Sequence, residues 1–485
     1  MDHILKKSTC LFLLIISYLF TCAQGITGIW KGVLHVQPKE IPIVFHIARD
    51  SAGKLIATFD SPSQNAFNLP VSEVITRADS VVFMIAMLNG KYAGILSGDT
   101  RTIDGQWFQG NGSLPLTVTK TSDSATVKQQ RRPQTPKPPF PYQTRDVEYW
   151  NADSTIQYGA SLTYPSTDPG KPAQKSFPAI IMITGSGQQD RDETLFGHKP
   201  FAVIADNLTR HGFLVLRVDD RGIGKTTGNF SQSTSLDFAK DVEAGLDFLE
   251  AQPEVNKANI GLLGHSEGGL IAPIVAGKRK EVKFIVLLAG PGIPSVDLME
   301  QQSEAASVSE GLTRAEAKAG SAFARIVMEE VNKGLDSTST FQNIRKRVDG
   351  WAKTIDTVTL AKIRRRNTAS VDEMIRQSVN ALSSKWFRYF IAFDPQPYLQ
   401  QLHCKVLALN GSRDVQVVAA YNLPGIRASL QKSRSPQYDV IELTGLNHLF
   451  QTCVKCSPSE YGELEETFSP KALETIDSWL LKNVQ

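Results

Sequence analysis

Asn259-Ile260-Gly261-Leu262-Leu263-Gly264-His265-Ser266-Glu267-Gly268-Gly269 decides the reading of this chain, because here an apolar strand runs straight into a glycine-flanked serine. A serine on a sharp strand-to-helix turn adopts a strained backbone. The positions two before and two after it must be glycine, since a Cβ there would strike the neighbouring chain. Such a turn lifts Ser266 Oγ above the sheet. The helix that follows, opening with the small-residue run at Leu270-Ile271-Ala272, aims free N–H groups and the positive end of its dipole at the hydroxyl. The motif thus predicts a nucleophile with half an oxyanion hole in place, the main-chain N–H of Glu267. Five residues alone arise by chance; the buried strand before them and the helix after them give the motif its weight.

Outward from the elbow, apolar strands alternate with helical segments. Ala179 to Ile183, a helix near Phe201 to Arg210, Phe213 to Val218, an amphipathic helix from Leu236 to Leu249, Ile260 to Leu263 and Phe284 to Ala289 form the series, which resumes at Val406 to Leu409 and Val440 to Leu443 and closes on a helix at Ala472 to Leu481. This alternation predicts an α/β fold, a mostly parallel sheet covered on both faces, with active groups at the carboxyl ends of its strands. A hairpin, Val147 to Trp150 and Ile156 to Thr163 about a turn at Asn151 to Ser154, precedes it. From 294 to 393 the strand pattern stops, and charged sequence rich in Glu, Ala, Arg and Lys predicts a helical cap inserted after the sixth strand.

Residues 24–120 read differently. Ile41, Ile43, Phe45 and Ile47 share one face, as do Leu55, Ala57 and Phe59, and Leu114, Leu116 and Val118. With turn signals such as Asn89-Gly90 and Asp104-Gly105 between the runs, this is a small antiparallel β domain, barrel-like, with no helical period. Its opening Gly28-Ile29-Trp30-Lys31-Gly32 resembles the G-x-W start of lipocalin-like barrels, although Trp30 also reads as a core residue. Residues 121–144 are polar and then rich in proline, so a semi-extended linker separates this domain from the catalytic region at 145–485.

Ahead of both domains, Lys6 and Lys7, the apolar run Cys10 to Phe20 and the small residues around Ala23 make residues 1–23 a secretory signal peptide, cleaved after Ala23. The run is shorter than the roughly 20 residues of a permanent span. The expectation is an exported protein, periplasmic or extracellular, beginning at Gln24. Lipid attachment at Cys22 competes with this, against the bulk of Phe20 and Thr21. Of five cysteines, Cys404, Cys453 and Cys456 then remain. Export makes a Cys453-Cys456 disulfide permissible, and two free thiols stay open as the alternative; no second Cys or His pair at zinc spacing accompanies them. A net charge of +3 over 485 residues gives no footprint for nucleic acid.

A serine hydroxyl needs a base within hydrogen-bond reach, itself oriented by a third group. His448, in Thr444-Gly445-Leu446-Asn447-His448 directly after the last strand, is the candidate base. Asp414, in Asn410-Gly411-Ser412-Arg413-Asp414 after the strand Val406 to Leu409, is the candidate acid. The order Ser266, Asp414, His448 matches a nucleophile elbow on a parallel sheet. His265 adjoins the serine, but its side chain is expected to leave the elbow in another direction. The second oxyanion donor falls in Thr184-Gly185-Ser186-Gly187, at the main-chain N–H of Ser186 or of Gly187. The next residues, Gln188 to Asp192, either shape the acyl pocket or form an internally paired turn. Asp219-Asp220-Arg221-Gly222-Ile223-Gly224-Lys225-Thr226 lacks the spacing of a phosphate-binding loop and reads as a buttress of the site's rim; no cofactor or metal is expected.

Together, Gly185-Ser186-Gly187, Asp219-Asp220-Arg221-Gly222, His265-Ser266-Glu267-Gly268-Gly269, Asn410-Gly411-Ser412-Arg413-Asp414 and Asn447-His448 resemble the α/β-hydrolase superfamily, and within it the EstD-type bacterial carboxylesterases, a branch near the serine aminopeptidases. The resemblance covers about 145–485. It implies Ser266, Asp414 and His448 as a catalytic triad and short-chain acyl esters, small molecules, as substrates. A peptidase or aminopeptidase using the same triad is the alternative. A binding protein with an idle hydrolase domain comes third, since an idle site has no need of all three groups.

Overall fold

The computed structural model describes residues 25–36, 39–50, 53–62, 66–85, 90–109, 112–121, 131–166, 176–366 and 370–484. The signal-peptide and Cys22 expectations, and Asn89, lie outside the described residues. Contacts divide the chain into two compact units, Met1–Arg131 and Arg132–Gln485.

The first unit is one antiparallel sheet of nine strands, β1 (Gly28–Val36), β2 (Lys39–Arg49), β3 (Leu55–Ser61), β4 (Ala66–Pro70), β5 (Glu73–Arg77), β6 (Ser80–Ile85), β7 (Gly90–Leu96), β8 (Thr102–Gln109) and β9 (Gly112–Thr121). Their order is β4-β3-β2-β1-β9-β8-β7-β6-β5, a meander closed through β1 and β9 but with no β4–β5 ladder among the described residues. Alternation explains it. Ile43, Phe45 and Ile47 of β2, Phe59 of β3, Phe83 of β6 and Trp107 of β8 point into one apolar core with Trp30, whose indole N–H donates to the carbonyl of Ile26. One turn signal was misplaced: Asp104-Gly105 lies inside β8. Gly105 is needed there for close approach, since a Cβ would sit 2.4 Å from the carbonyl oxygen of Ala93 on β7.

The second unit carries an eight-stranded sheet: β10 (Tyr142–Trp150), β11 (Gln157–Pro165), β12 (Phe177–Ile183), β13 (Leu214–Val218), β14 (Val255–His265), β15 (Val282–Leu288), β16 (Lys405–Gly411) and β17 (Tyr438–Leu443). In the order β10-β11-β13-β12-β14-β15-β16-β17, the hairpin β10–β11 is antiparallel and joins β13 antiparallel; from β13 onward every pairing is parallel. β12 is buried along its whole length, as a continuous apolar run covered on both faces must be. β10 starts at Tyr142, inside the stretch expected as linker. Part of that stretch is anchored as well: the Arg132 guanidinium donates to the carbonyls of Phe196, Gly462 and Leu464.

Between β15 and β16 the chain forms helices at Ser295–Ser309, Arg314–Asn332, Ser337–Ala352, Thr357–Arg366, Val371–Ala381 and Lys385–Ile391. Thr313 with Glu316, Asp336, Ser370 and Ser384 cap four of them at the amino end, which is why the charged sequence breaks there into separate helices. Val327, Ile344, Val348 and Ile375 form the insertion's own small core. No helix among the described residues is long and apolar enough to cross a membrane.

Candidate active site

β14, near the middle of the sheet, ends at His265, and the helix Glu267–Lys278 begins immediately. Ser266 between them has φ 51° and ψ −115°, a backbone that L-residues rarely adopt. Its N–H donates to the carbonyl of Leu288. The flanking glycines are required by contact: a Cβ on Gly264 would lie 2.1 Å from the Gly268 oxygen, and one on Gly268 would lie 2.1 Å from the Ile183 oxygen. The local sequence therefore folds this way because only hydrogen fits.

Asp414 and His448 come from the loops after the next strands. Asp414 Oδ1 accepts the N–H groups of Gln416 at 2.7 Å and Val417 at 2.9 Å, which turns Oδ2 towards His448 Nδ1 at 2.9 Å. Both side chains are almost fully buried. The His448 loop is folded by Asn447, whose Oδ1 accepts from the N–H of Leu449 and of Gln451. It passes so close to β16 that a Cβ on Gly411 would stand 2.2 Å from the Leu446 oxygen. Loops from β14 and β17 thus bring Ser266 and His448 to one cavity, and Asp414, on the loop after β16, stands behind His448 and meets its Nδ1. No direct hydrogen bond joins the Ser266 hydroxyl to the imidazole among the described residues; such bonds commonly tighten only with substrate bound.

The cavity holds about 390 Å³ and is bounded by Ser186, Ser266, Glu267 and His448 on the sheet side and by Met299 and Trp386 from the insertion. The main-chain N–H groups of Ser186 and Glu267 both face no acceptor among the described residues. The Glu267 side chain is buried, with Oε1 accepting from Ser235 Oγ at 2.6 Å and from the indole N–H of Trp386 at 2.8 Å. Burial pushes its carboxyl above the usual carboxylate range. One residue therefore presents an amide to the cavity and ties the helix Lys385–Ile391 to the sheet.

In the stretch Gln188 to Asp192 both features occur: Gln189 lines the cavity, while Asp190 accepts from the N–H groups of Asp192 and Thr194 and Arg191 makes a forked pair with Asp219. Asp220 is held by Thr184 Oγ1 and the Gln189 N–H, so the Asp219-Asp220-Arg221 loop buttresses the turn after β12; burial raises the Asp220 carboxyl to about 7. Two residues escaped sequence reasoning. His265 does not leave the site: Nδ1 lies 2.9 Å from Glu193 Oε1 and Nε2 lies 3.0 Å from the carbonyl oxygen of His448. Glu193 follows Gln188–Asp192 directly, yet nothing in its neighbours signalled that it turns inward. Cys453 and Cys456 form a disulfide, so neither thiolate is free to join Glu460 in holding a metal ion, and Cys404 is a buried free thiol.

A nucleophile elbow on a central parallel strand, an acid and a histidine on loops after later strands, and a helical insertion between give the Arg132–Gln485 unit the α/β-hydrolase fold. Residues 199–348 match the family described as serine aminopeptidase, S33. Over 126 residues the chain is 30% identical to esterase EstD of Thermotoga maritima, covering 26% of this chain and 30% of that protein. Over 151 residues it is 28% identical to uncharacterized protein YfhR of Escherichia coli O157:H7, covering 31% and 48%. The chain thus spans less than half the length of either relative. The crystal structure of hypothetical protein PA2218 from Pseudomonas aeruginosa aligns at 16% identity with a TM-score of 0.43, covering 73% of this chain and 98% of that one.

Proposed function

We propose that this chain is a serine hydrolase of carboxylic esters, with short-chain acyl esters among its substrates. The observation that carries the reading is the buried Asp414–His448 pair at 2.9 Å, whose His448 lines the same cavity as Ser266. Asp414 holds the proton of His448 on Nδ1, which leaves Nε2 to act as base. Ser266 Oγ attacks the ester carbonyl and passes its proton to Nε2. The oxyanion is received by the N–H groups of Ser186 and Glu267, each worth about 3 kcal/mol to the transition state. His448 returns the proton to the departing alcohol, and water repeats the sequence on the acyl-enzyme.

Ester over peptide is favoured by the cavity's charges. Its carboxylates are Glu193 and Glu267, and both are buried and committed to internal partners, so neither stands ready to grip a substrate ammonium. The test is turnover of p-nitrophenyl acetate and butyrate by the mature protein. Ser266→Ala is expected to reduce the rate by about four orders of magnitude or more. Equal rates in both proteins would end the reading, and faster turnover of aminoacyl p-nitroanilides would transfer it to an aminopeptidase.

The same proposal places the protein outside the cytoplasm, periplasmic or extracellular. It rests on the amino-terminal pattern and is supported by the Cys453–Cys456 disulfide, which suits an oxidising compartment. Secreted material should begin at Gln24; a retained leader or a lipid-modified Cys22, seen by mass spectrometry, would contradict it.

A further inference from the structure

Glu193, His265 and the main chain of His448 form a chain of contacts that the triad chemistry does not use. Glu193 Oε1 accepts the N–H of Gly185 at 2.7 Å and faces His265 Nδ1 at 2.9 Å, while the other ring nitrogen of His265 faces the His448 carbonyl oxygen at 3.0 Å. Both ring nitrogens therefore confront oxygen acceptors. A neutral imidazole has one N–H and can serve only one of them. The side chains are 7% and 2% exposed, so water cannot relieve a lone pair left facing a lone pair. The two contacts together require a second proton in the pair. It belongs on the ring, because an imidazole is the stronger base than a carboxylate by about two pKa units in water.

We propose that His265 is a standing imidazolium, paired to Glu193, and acts as the positioning residue that locks the oxyanion turn, the elbow and the base into one frame. Gly185 precedes Ser186, His265 precedes Ser266, and His448 is held by its own carbonyl, so one buried ion pair reaches all three loops. Glu193 itself has φ 51°, a strained backbone that the turn stabilised by Asp190 maintains. Burial by itself would drive the His265 proton off, but the Glu193 charge and its hydrogen bond, with smaller help from the His448 carbonyl and from Asp414, hold its pKa above the ordinary value. The charged and titratable groups around the ring are Glu193 from the turn after β12, Asp414 after β16, His448 after β17 and Glu267 along its own segment.

The position of this cation also bears on the base. The two rings are 4.9 Å apart, and Glu193 sits on the far side of His265 from His448. His265 therefore packs against the ring of the base as well as meeting its main chain.

The inference rests on the esterase reading only for its kinetic arm. The direct measurement is the ring ¹⁵N spectrum of the full chain labelled at histidine, with the His265 signals identified by their loss in His265→Gln. Both nitrogens of His265 should carry protons at pH 7; a neutral tautomer at that pH overturns the proposal whatever the enzyme hydrolyses. In Glu193→Gln, kcat should fall roughly 10- to 100-fold with KM changed less than about twofold. Glu193→Asp should restore part of the lost kcat. A folded Glu193→Gln enzyme with unchanged kcat would equally overturn it. If esters prove not to be substrates, the spectrum still decides.

Discussion

The elbow region and the helical insertion sit in the same unit, yet they are built on opposite terms. Around Ser266 the main chains approach so closely that glycine is the only residue that fits, and Gly264, Gly268 and Gly411 would each place a Cβ 2.1–2.2 Å from a backbone oxygen. In the insertion, Gly320 and Gly350 have nothing within 4 Å of the same added atom. The insertion has a small apolar core of its own, and it is laced on the surface by half-exposed ion pairs, with Arg325 reaching Asp297, Glu300 and Glu329. Such pairs contribute little each, about 0–1 kcal/mol. The lesson is a division of labour: around Ser266 backbone contact leaves no room for a side chain, while the part lending Met299 and Trp386 to the cavity wall packs through side chains, which tolerate substitution more readily.

The comparison breaks most sharply if the same methyl is added on both sides. Gly268→Ala should cost more than about 4 kcal/mol, because neither of the two backbones can yield without losing the elbow. Gly350→Ala, inside the helix Ser337–Ala352, should instead raise stability by about 1 kcal/mol through helix propensity. Thermal or urea unfolding of the two variants measures both; comparable effects would erase the distinction. A smaller effect separates the regions by acid. His198, buried on the sheet side, has its pKa lowered by burial and by Arg132 to about 4 from 6.5. The unfolded chain therefore takes up this proton first, so the contribution is present above pH 6.5 and is lost as pH falls towards 4. The slope should be about 1 kcal/mol per pH unit across that window, and flatter in His198→Gln. An unchanged slope in the variant would assign acid lability elsewhere.

Much of this molecule was legible in one dimension. The strands of the second sheet announce themselves as continuous apolar runs, and those of the first by alternation, since period is a property of the chain itself. The elbow was legible because its glycines stand at fixed spacing about one serine, Gly264 meeting Gly268, although Gly268 also answers Ile183 on β12. Glu193 was not, since a glutamate in a polar turn looks the same whether it faces water or a buried imidazole. The same holds for Trp386, an aromatic in a charged helical stretch whose indole proves to reach Glu267. The misplacement of Asp104-Gly105 has the same root: that glycine answers a neighbouring strand, not its own turn.

What the amino-acid order determined alone is the kind of chemistry available: a serine on a forced turn, with an acid and a histidine following later strands in the order such a sheet requires. Only the tertiary structure decided which groups stand around that serine and in what state of charge. Periodicity, and the contact of Gly264 with Gly268, act between residues near in sequence. The proton held between Glu193 and His265, by contrast, depends on water being shut out by segments that meet only when the chain has folded.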